Sequence, residues 1–190
     1  MEIYPGRYER SVNLRDGTEV FLRPVKETDG PLLLELFKKL SPSSVRLRFL
    51  SLLHCLPEEL VYQFTHVDYK KSFGLVALSH RENSGPIIGV ARYAYDSERE
   101  LPELAVVVRD DWQGKGLGSI LLSRVIGIGR ENGFSRFEAM IDPQNQIIMN
   151  IFRQIGVDYK ICRREQEAYL IEIQVGEERS LEDASSPKQK

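Results

Sequence analysis

Residues 104–128 change character twice, and that change restricts the fold more than any other feature of the chain. LAVVVR at 104–109 is an apolar run that reads as a central strand buried on both faces. RDDWQGKGLGS at 109–119 follows, with Gly114, Gly116 and Gly118 at alternate positions. Leu117, Leu121, Val125 and Ile128 then recur at helical spacing on one face. A strand, a glycine loop and a helix in that order let backbone approach a ligand closely, at a helix end that carries free N–H groups and partial positive charge. The sequence therefore predicts an anion-holding turn. A Walker loop needs GxxxxGK[ST], and no glycine stands five residues before Gly114. The dinucleotide fingerprint GxGxxG fails on spacing, and the loop lies mid-chain behind an antiparallel-looking block. Gly127 and Gly129 each cost the helix about 1 kcal/mol of propensity, which predicts close packing against the sheet at both.

The rest of the chain reads as one mixed α/β domain over 12–175, with an N-terminal extension at 1–11 and a polar tail at 176–190 expected to be disordered. TEVFLRPV at 18–25 alternates as a first strand. Thr28 and Asp29 offer caps to a helix bearing Leu33, Leu36, Phe37 and Leu40, and further helices are expected at 42–53 and from Pro57. FGLVALSH and PIIGVARYAY are two strands joined by a hairpin connection at 82–85. After the glycine loop and its helix come a strand at 135–142, a helix at 145–155 stopped by Gly156, and a closing hairpin from 159–164 and 168–175.

Composition narrows the function. The chain has 190 residues, 42% of them hydrophobic, enough for a real core. Its 26 Lys and Arg against 28 Asp and Glu give a net charge of -2, so no basic excess tracks a nucleic-acid backbone. No apolar run approaches the ~20 residues of a membrane span, and the polar start lacks a signal-peptide core, so a cytoplasmic protein is expected. Cys55 and Cys162 are isolated, and His54, His66 and His80 have no metal-ligand spacing; no metal site is expected.

The motif Q-x-x-G-x-G, here Gln113, Gly116 and Gly118, resembles that of the GNAT superfamily of acyl-CoA-dependent N-acetyltransferases. Further similarity to bacterial protein lysine acetyltransferases is carried by SPSSVRLRFL at 41–50, FTHVDYKKSFGLVA at 64–77, ELAVVVRDDWQGKGLG at 103–118 and PQNQIIMNIFRQIG at 143–156. The resemblance spans about 12–173. It implies a central, mostly antiparallel sheet of about seven strands flanked by helices, with acetyl-CoA as co-substrate and a protein bearing an acceptor lysine as partner. A small-amine acetyltransferase and a non-catalytic acyl-CoA-binding regulatory domain are the alternatives.

Each residue then has an expected role. The resemblance implies that Gln113, Gly114, Lys115, Gly116, Leu117, Gly118 and Ser119 cradle the pyrophosphate of coenzyme A. It also implies that backbone N–H groups of Val106, Val107 and Val108 pair with pantetheine and hold the developing oxyanion; the valine side chains are core. Glu103 is the candidate base, because a lysine amine of pKa about 10.4 must lose a proton to react. Its apolar neighbours Leu101, Pro102, Leu104 and Ala105 are expected to desolvate it, and Asp96, Glu98 and Glu100 compete for the role. Asn145 is either a cofactor contact or a helix cap. Lys115 and Arg153 either meet phosphates or are surface charges. Arg46, Arg48, Asp68 and Tyr69 are candidates for the acceptor side. Phe152 stands where many family members have a tyrosine in YxxxG, so a tyrosine acid is missing there.

Overall fold

The element order follows the switches in hydrophobic period. The computed structural model, which describes residues 3–79, 85–164 and 168–175, runs β1 (Arg10–Asn13), β2 (Glu19–Pro24), α1 (Gly30–Lys38), α2 (Pro42–Phe49), α3 (Glu58–Thr65), β3 (Ser72–Leu78), β4 (Ile87–Asp96), β5 (Leu101–Val108), α4 (Leu117–Glu131), β6 (Arg136–Ile141), α5 (Gln146–Ile155), β7 (Asp158–Arg164) and β8 (Tyr169–Gln174). The strands form one sheet in the order β1-β2-β3-β4-β5-β6-β8-β7. All neighbours are antiparallel except β5 and β6, which are parallel because α4 carries the chain across between them. The polar tail and the 82–84 part of the expected hairpin connection lie outside the described residues, as does His80.

Packing explains the match between pattern and structure. Leu117, Leu121, Val125 and Ile128 of α4 are all buried against the sheet, with Ile148 and Phe152 of α5 on the same side. Leu33 and Leu36 of α1 close the opposite face over Val76, Leu78 and Ile87. Eight strands replace the expected seven. The additional strand, β1, is a short, largely exposed edge with no apolar alternation, so its sequence carries no strand signal. The segment set apart as an N-terminal extension packs onto this sheet, with the Tyr8 ring edge-on to Phe73.

Several expectations need correction. The helix expected to reach residue 53 ends at Phe49, where Leu50 adopts a left-handed φ of 54°. Asp29 does not cap α1 through its side chain. Its carboxylate is buried with Arg23, accepting from Nη1 at 2.6 Å and Nη2 at 2.7 Å. Val106 and Val107 are half-buried rather than core on both faces. Close packing holds at one of the two helix glycines only. A Cβ on Gly129 would lie 2.5 Å from Phe137 Cζ, whereas one on Gly127 would meet nothing within 4 Å.

That asymmetry makes a stability prediction. Gly129→Ala forces the Phe137 ring aside and should cost about 1–3 kcal/mol. Gly127→Ala should instead add about 1 kcal/mol of helix propensity. Denaturant midpoints of the two variants should move in opposite directions, and a loss in both would contradict the open surroundings of Gly127.

Candidate active site

β5 and β6 share one register pair, Glu103 with Glu138, and then separate. Past that pair the β6-facing backbone groups of β5 have no partner strand, in a position where unpaired polar groups are costly unless something binds them. A cleft of about 290 Å³ is lined on this side by Val106, Val107 and Val108. Its opposite wall comes from α5 through Asn145, Ile147, Ile148, Ile151 and Gln154, its roof from Leu47 and Arg48 of α2, and its far end from Gly114, Gly116, Leu117, Gly118 and Ser119.

The far end is built for an anion. Gly116 caps α4 at a φ of 87° with no side-chain capping bond, and Gly114 has a φ of 77°. The first helical bond runs from the Ile120 N–H to the Gly116 carbonyl at 3.1 Å. The N–H groups of Leu117, Gly118 and Ser119 therefore have no acceptor within the helix. Gln113 does not face the loop alone: its Nε2 donates to the Val108 carbonyl at 2.9 Å and to Ser44 Oγ at 3.1 Å, locking the loop to the strand end and to α2. Asp110 strengthens that lock by accepting from the Ser41 N–H at 2.9 Å and from the hydroxyls of Ser41 and Ser44 at 2.6 and 2.8 Å. Partial burial pushes the Asp110 carboxyl up, and these donors outweigh it, so it stays below its ordinary value.

Sequence reasoning missed two polar residues of this end. Arg15, from the turn between β1 and β2, lines the cleft and leans over the loop. A Cβ on Gly116 would lie 3.1 Å from its Nε. Gln154 accepts from Arg15 Nη2 at 3.1 Å and from Ser119 Oγ at 3.0 Å. Arg15 lies in the turn after β1, a strand without an alternating pattern, and Gln154 lies within the 143–156 stretch but at a position to which no role attaches. Lys115 and Arg153 do not line the cleft. Lys115 Nζ pairs with Asp16 at 2.9 Å, and Arg153 Nη2 donates to Asn150 Oδ1 at 2.6 Å.

Asn145 is a helix cap that also stands at the cleft. Its Oδ1 caps α5 by accepting from the Ile148 N–H at 3.1 Å, and the residue also lines the cleft. The cap leaves the amide's N–H donors unspent.

At the other end a recess of about 50 Å³ adjoins the cleft, sharing Leu47, Arg48, Val106, Asn145 and Ile148 with it. Glu103 lines this recess and is the one carboxylate among the described residues lining either space. The desolvation expected for Glu103 does not occur: the residue is exposed. Side chains alternate along a strand, so Pro102 and Leu104 turn inward while Glu103 faces outward. Asp96, Glu98 and Glu100 line neither space; Asp96 accepts from the Glu98 N–H in the turn before β5. Two arginines face Glu103 electrostatically. Burial first and the charge of Arg92 second, against the opposing charge of Glu103, pull Arg48 down to about 10. Burial likewise pulls Arg92 down to about 10 against the opposing charge of Glu103.

The other candidates serve elsewhere. Asp68 accepts from the Ser72 N–H at 2.7 Å and Tyr69 donates to the Val25 carbonyl at 2.9 Å, neither in the cleft. Arg46 pairs with the buried Asp142 at 3.5 Å. Phe152 is buried in the floor of the recess. His66 stacks on Tyr62, and His54 is exposed in a loop.

The acetyltransferase (GNAT) family model matches residues 43–157, and the chain belongs to that family. It is an acetyl-CoA-dependent N-acetyltransferase. Among known relatives, acetyltransferase PA5475 of Pseudomonas aeruginosa is 31% identical over 144 residues, covering 76% of this chain and 77% of that protein. Acetyltransferase Pat of Mycolicibacterium smegmatis is 31% identical over 146 residues, 76% of this chain but 43% of Pat. The crystal structure of the GNAT domain of S. lividans PAT superposes with a TM-score of 0.81 at 29% identity, covering 90% of this chain and 99% of that domain. The cleft suits the family's co-substrate. Uncapped helix N–H groups and Arg15 offer themselves to phosphates, an unpaired strand edge to an amide-bearing arm, and Leu47, Ile147, Ile148 and Ile151 to its apolar parts.

Gly116→Val should therefore weaken coenzyme A binding at least about tenfold. A β-branched residue is strained at a φ of 87° and pushes into Arg15. Titration calorimetry measures this, with the thermal transition as a check that the domain stays folded. Unchanged affinity would remove the loop from the binding site.

Proposed function

We propose that this chain acetylates lysine side chains of proteins by direct transfer, with Glu103 as the base. The observation that carries the reading is the position of Glu103, the one carboxylate among the described residues that line the cleft and its recess. A protonated lysine approaching there gives its proton to Glu103, directly or through water. The amine nitrogen forms its bond to the acetyl carbon, the carbon–sulfur bond breaks, the nitrogen gives up its second proton to solvent, and the negative charge developing on the thioester oxygen meets unpaired N–H groups along Val106–Val108. Among the described residues the lining holds no tyrosine, histidine or cysteine to protonate the departing thiolate, and in this reading that proton comes from solvent.

A protein acceptor is supported by the shape of the acceptor end. The recess at Glu103 holds about 50 Å³, far below the roughly 300 Å³ and more of pockets that enclose small molecules. An exposed base beside so small a recess suits one side chain projecting from a large partner. The similarity to Pat and to S. lividans PAT points the same way. An AMP-forming acyl-CoA synthetase is the partner we favour, since acetylating a lysine that holds an adenylate or carboxylate removes the charge it works with. Cytoplasmic residence fits Cys55 and Cys162, both free and exposed.

Incubated with acetyl-CoA, the protein should add acetyl groups to a cognate acetyl-CoA synthetase and inactivate it, as read by intact mass and residual activity. Glu103→Gln should slow this at least about 10²-fold near neutral pH with coenzyme A affinity retained. The deficit should shrink as pH rises toward the amine's own pKa, because the acceptor then deprotonates unaided. Efficient acetylation of polyamines with an unmodified synthetase would replace the protein reading, and a near-wild-type rate for Glu103→Gln would remove the base.

A further inference from the structure

Beside Glu103 two guanidinium groups gather around one aromatic ring. Arg92 Cζ lies 4.3 Å from the centroid of Phe64, and Arg48 Cζ lies 5.6 Å from it and 4.8 Å from that of Phe49. Arg92 on β4 stands in register with Ala105 of β5. By strand alternation it shares the sheet face of Ala105 and Glu103, both of which line the recess, as does Arg48. Both arginines are half-buried, and neither makes a hydrogen bond or ion pair to any described residue. The other buried arginine contrasts with them, for Arg23 is held by a bidentate carboxylate. Partly buried like charges repel and forfeit solvation, and ring stacking offsets only part of that cost. Glu103 is near enough to be felt by both but forms no ion pair with either.

We propose that Arg48 and Arg92, gathered around Phe64 beside Glu103, form an anion subsite that receives a carboxylate carried by the acceptor next to the amine to be acetylated. The inference rests on the acetyl-transfer reading of Glu103 and adds to it a rule for choosing acceptors. A planar carboxylate can accept from the forks of both guanidiniums, supplying the missing counter-charge as the amine reaches the base. Two sources share this chemistry: an aspartate or glutamate side chain beside the target lysine, and the α-carboxylate of a free amino acid.

Steady-state acetylation by the full chain separates them. The acceptors are a lysine peptide with glutamate beside the lysine, the same peptide with glutamine there, free L-lysine and L-lysine amide. Wild type should favour the glutamate peptide over the glutamine peptide by about tenfold or more in kcat/KM. Arg92→Gln should bring that ratio close to one, and Arg48→Gln should do the same, while coenzyme A calorimetry on Arg92→Gln confirms an intact fold. A preference confined to free lysine over its amide, lost in the same variants, supports the subsite with the α-carboxylate as its ligand. Equal rates for both members of each pair in wild type would overturn the subsite and leave the Glu103 reading standing. No turnover of any of these amines by a protein that binds acetyl-CoA would overturn the lysine reading and the subsite together.

Discussion

Everything functional in this molecule depends on two neighbouring strands that pair once and then part. β5 meets β6 at Glu103 and Glu138 alone, and the loss of the ladder beyond leaves a strip of backbone polar groups that must find other partners. The parting is supported on both sides. α4 crosses from one strand to the other and buries a continuous apolar stripe on the sheet, and Phe152 of α5 seals the floor of the gap. Gln113 takes the carbonyl at the end of β5, and Asp110 ties the following turn to α2. A wedge with an unpaired edge results, and its surfaces suit a co-substrate that carries amides, phosphates and an apolar stem.

The two ends of the wedge have different electrostatics. Uncapped helix N–H groups, glycines at positive φ and Arg15 make one end receptive to phosphates without a lysine directed into it. At the other end one exposed carboxylate stands beside two arginines that form no ion pair with any described residue. The Arg48–Arg92 pair disfavours a further positive charge nearby, which favours the neutral form of an arriving amine that the reaction needs. The alternation of β5 allows both ends on one strand. It sends Leu104 into the core and Glu103 outward.

Much of this could be read in the sequence because it depends on local patterns. The stripe on α4, the glycine loop and the stop at Gly156 follow from helical spacing and from backbone angles open to glycine. What could not be read depends on contacts distant in sequence. β1 has no pattern because it is an exposed edge, so Arg15 was invisible as a cleft residue. The difference between Gly127 and Gly129 depends on where Phe137 of another strand comes to lie. The apolar run at 104–109 suggested burial on both faces, and only the separation of β6 shows why Val106 and Val107 are half-buried. The apolar neighbours of Glu103 suggested desolvation, which strand alternation prevents.

Amide hydrogen exchange with and without saturating coenzyme A tests the central claim most directly, since it reports on the backbone groups that the strand separation leaves unpaired. Exchange should slow within 105–108 and at Leu117, Gly118 and Ser119, with β7 and β8 unchanged. Protection absent from both segments at saturation, or confined to the sheet edges, would contradict it.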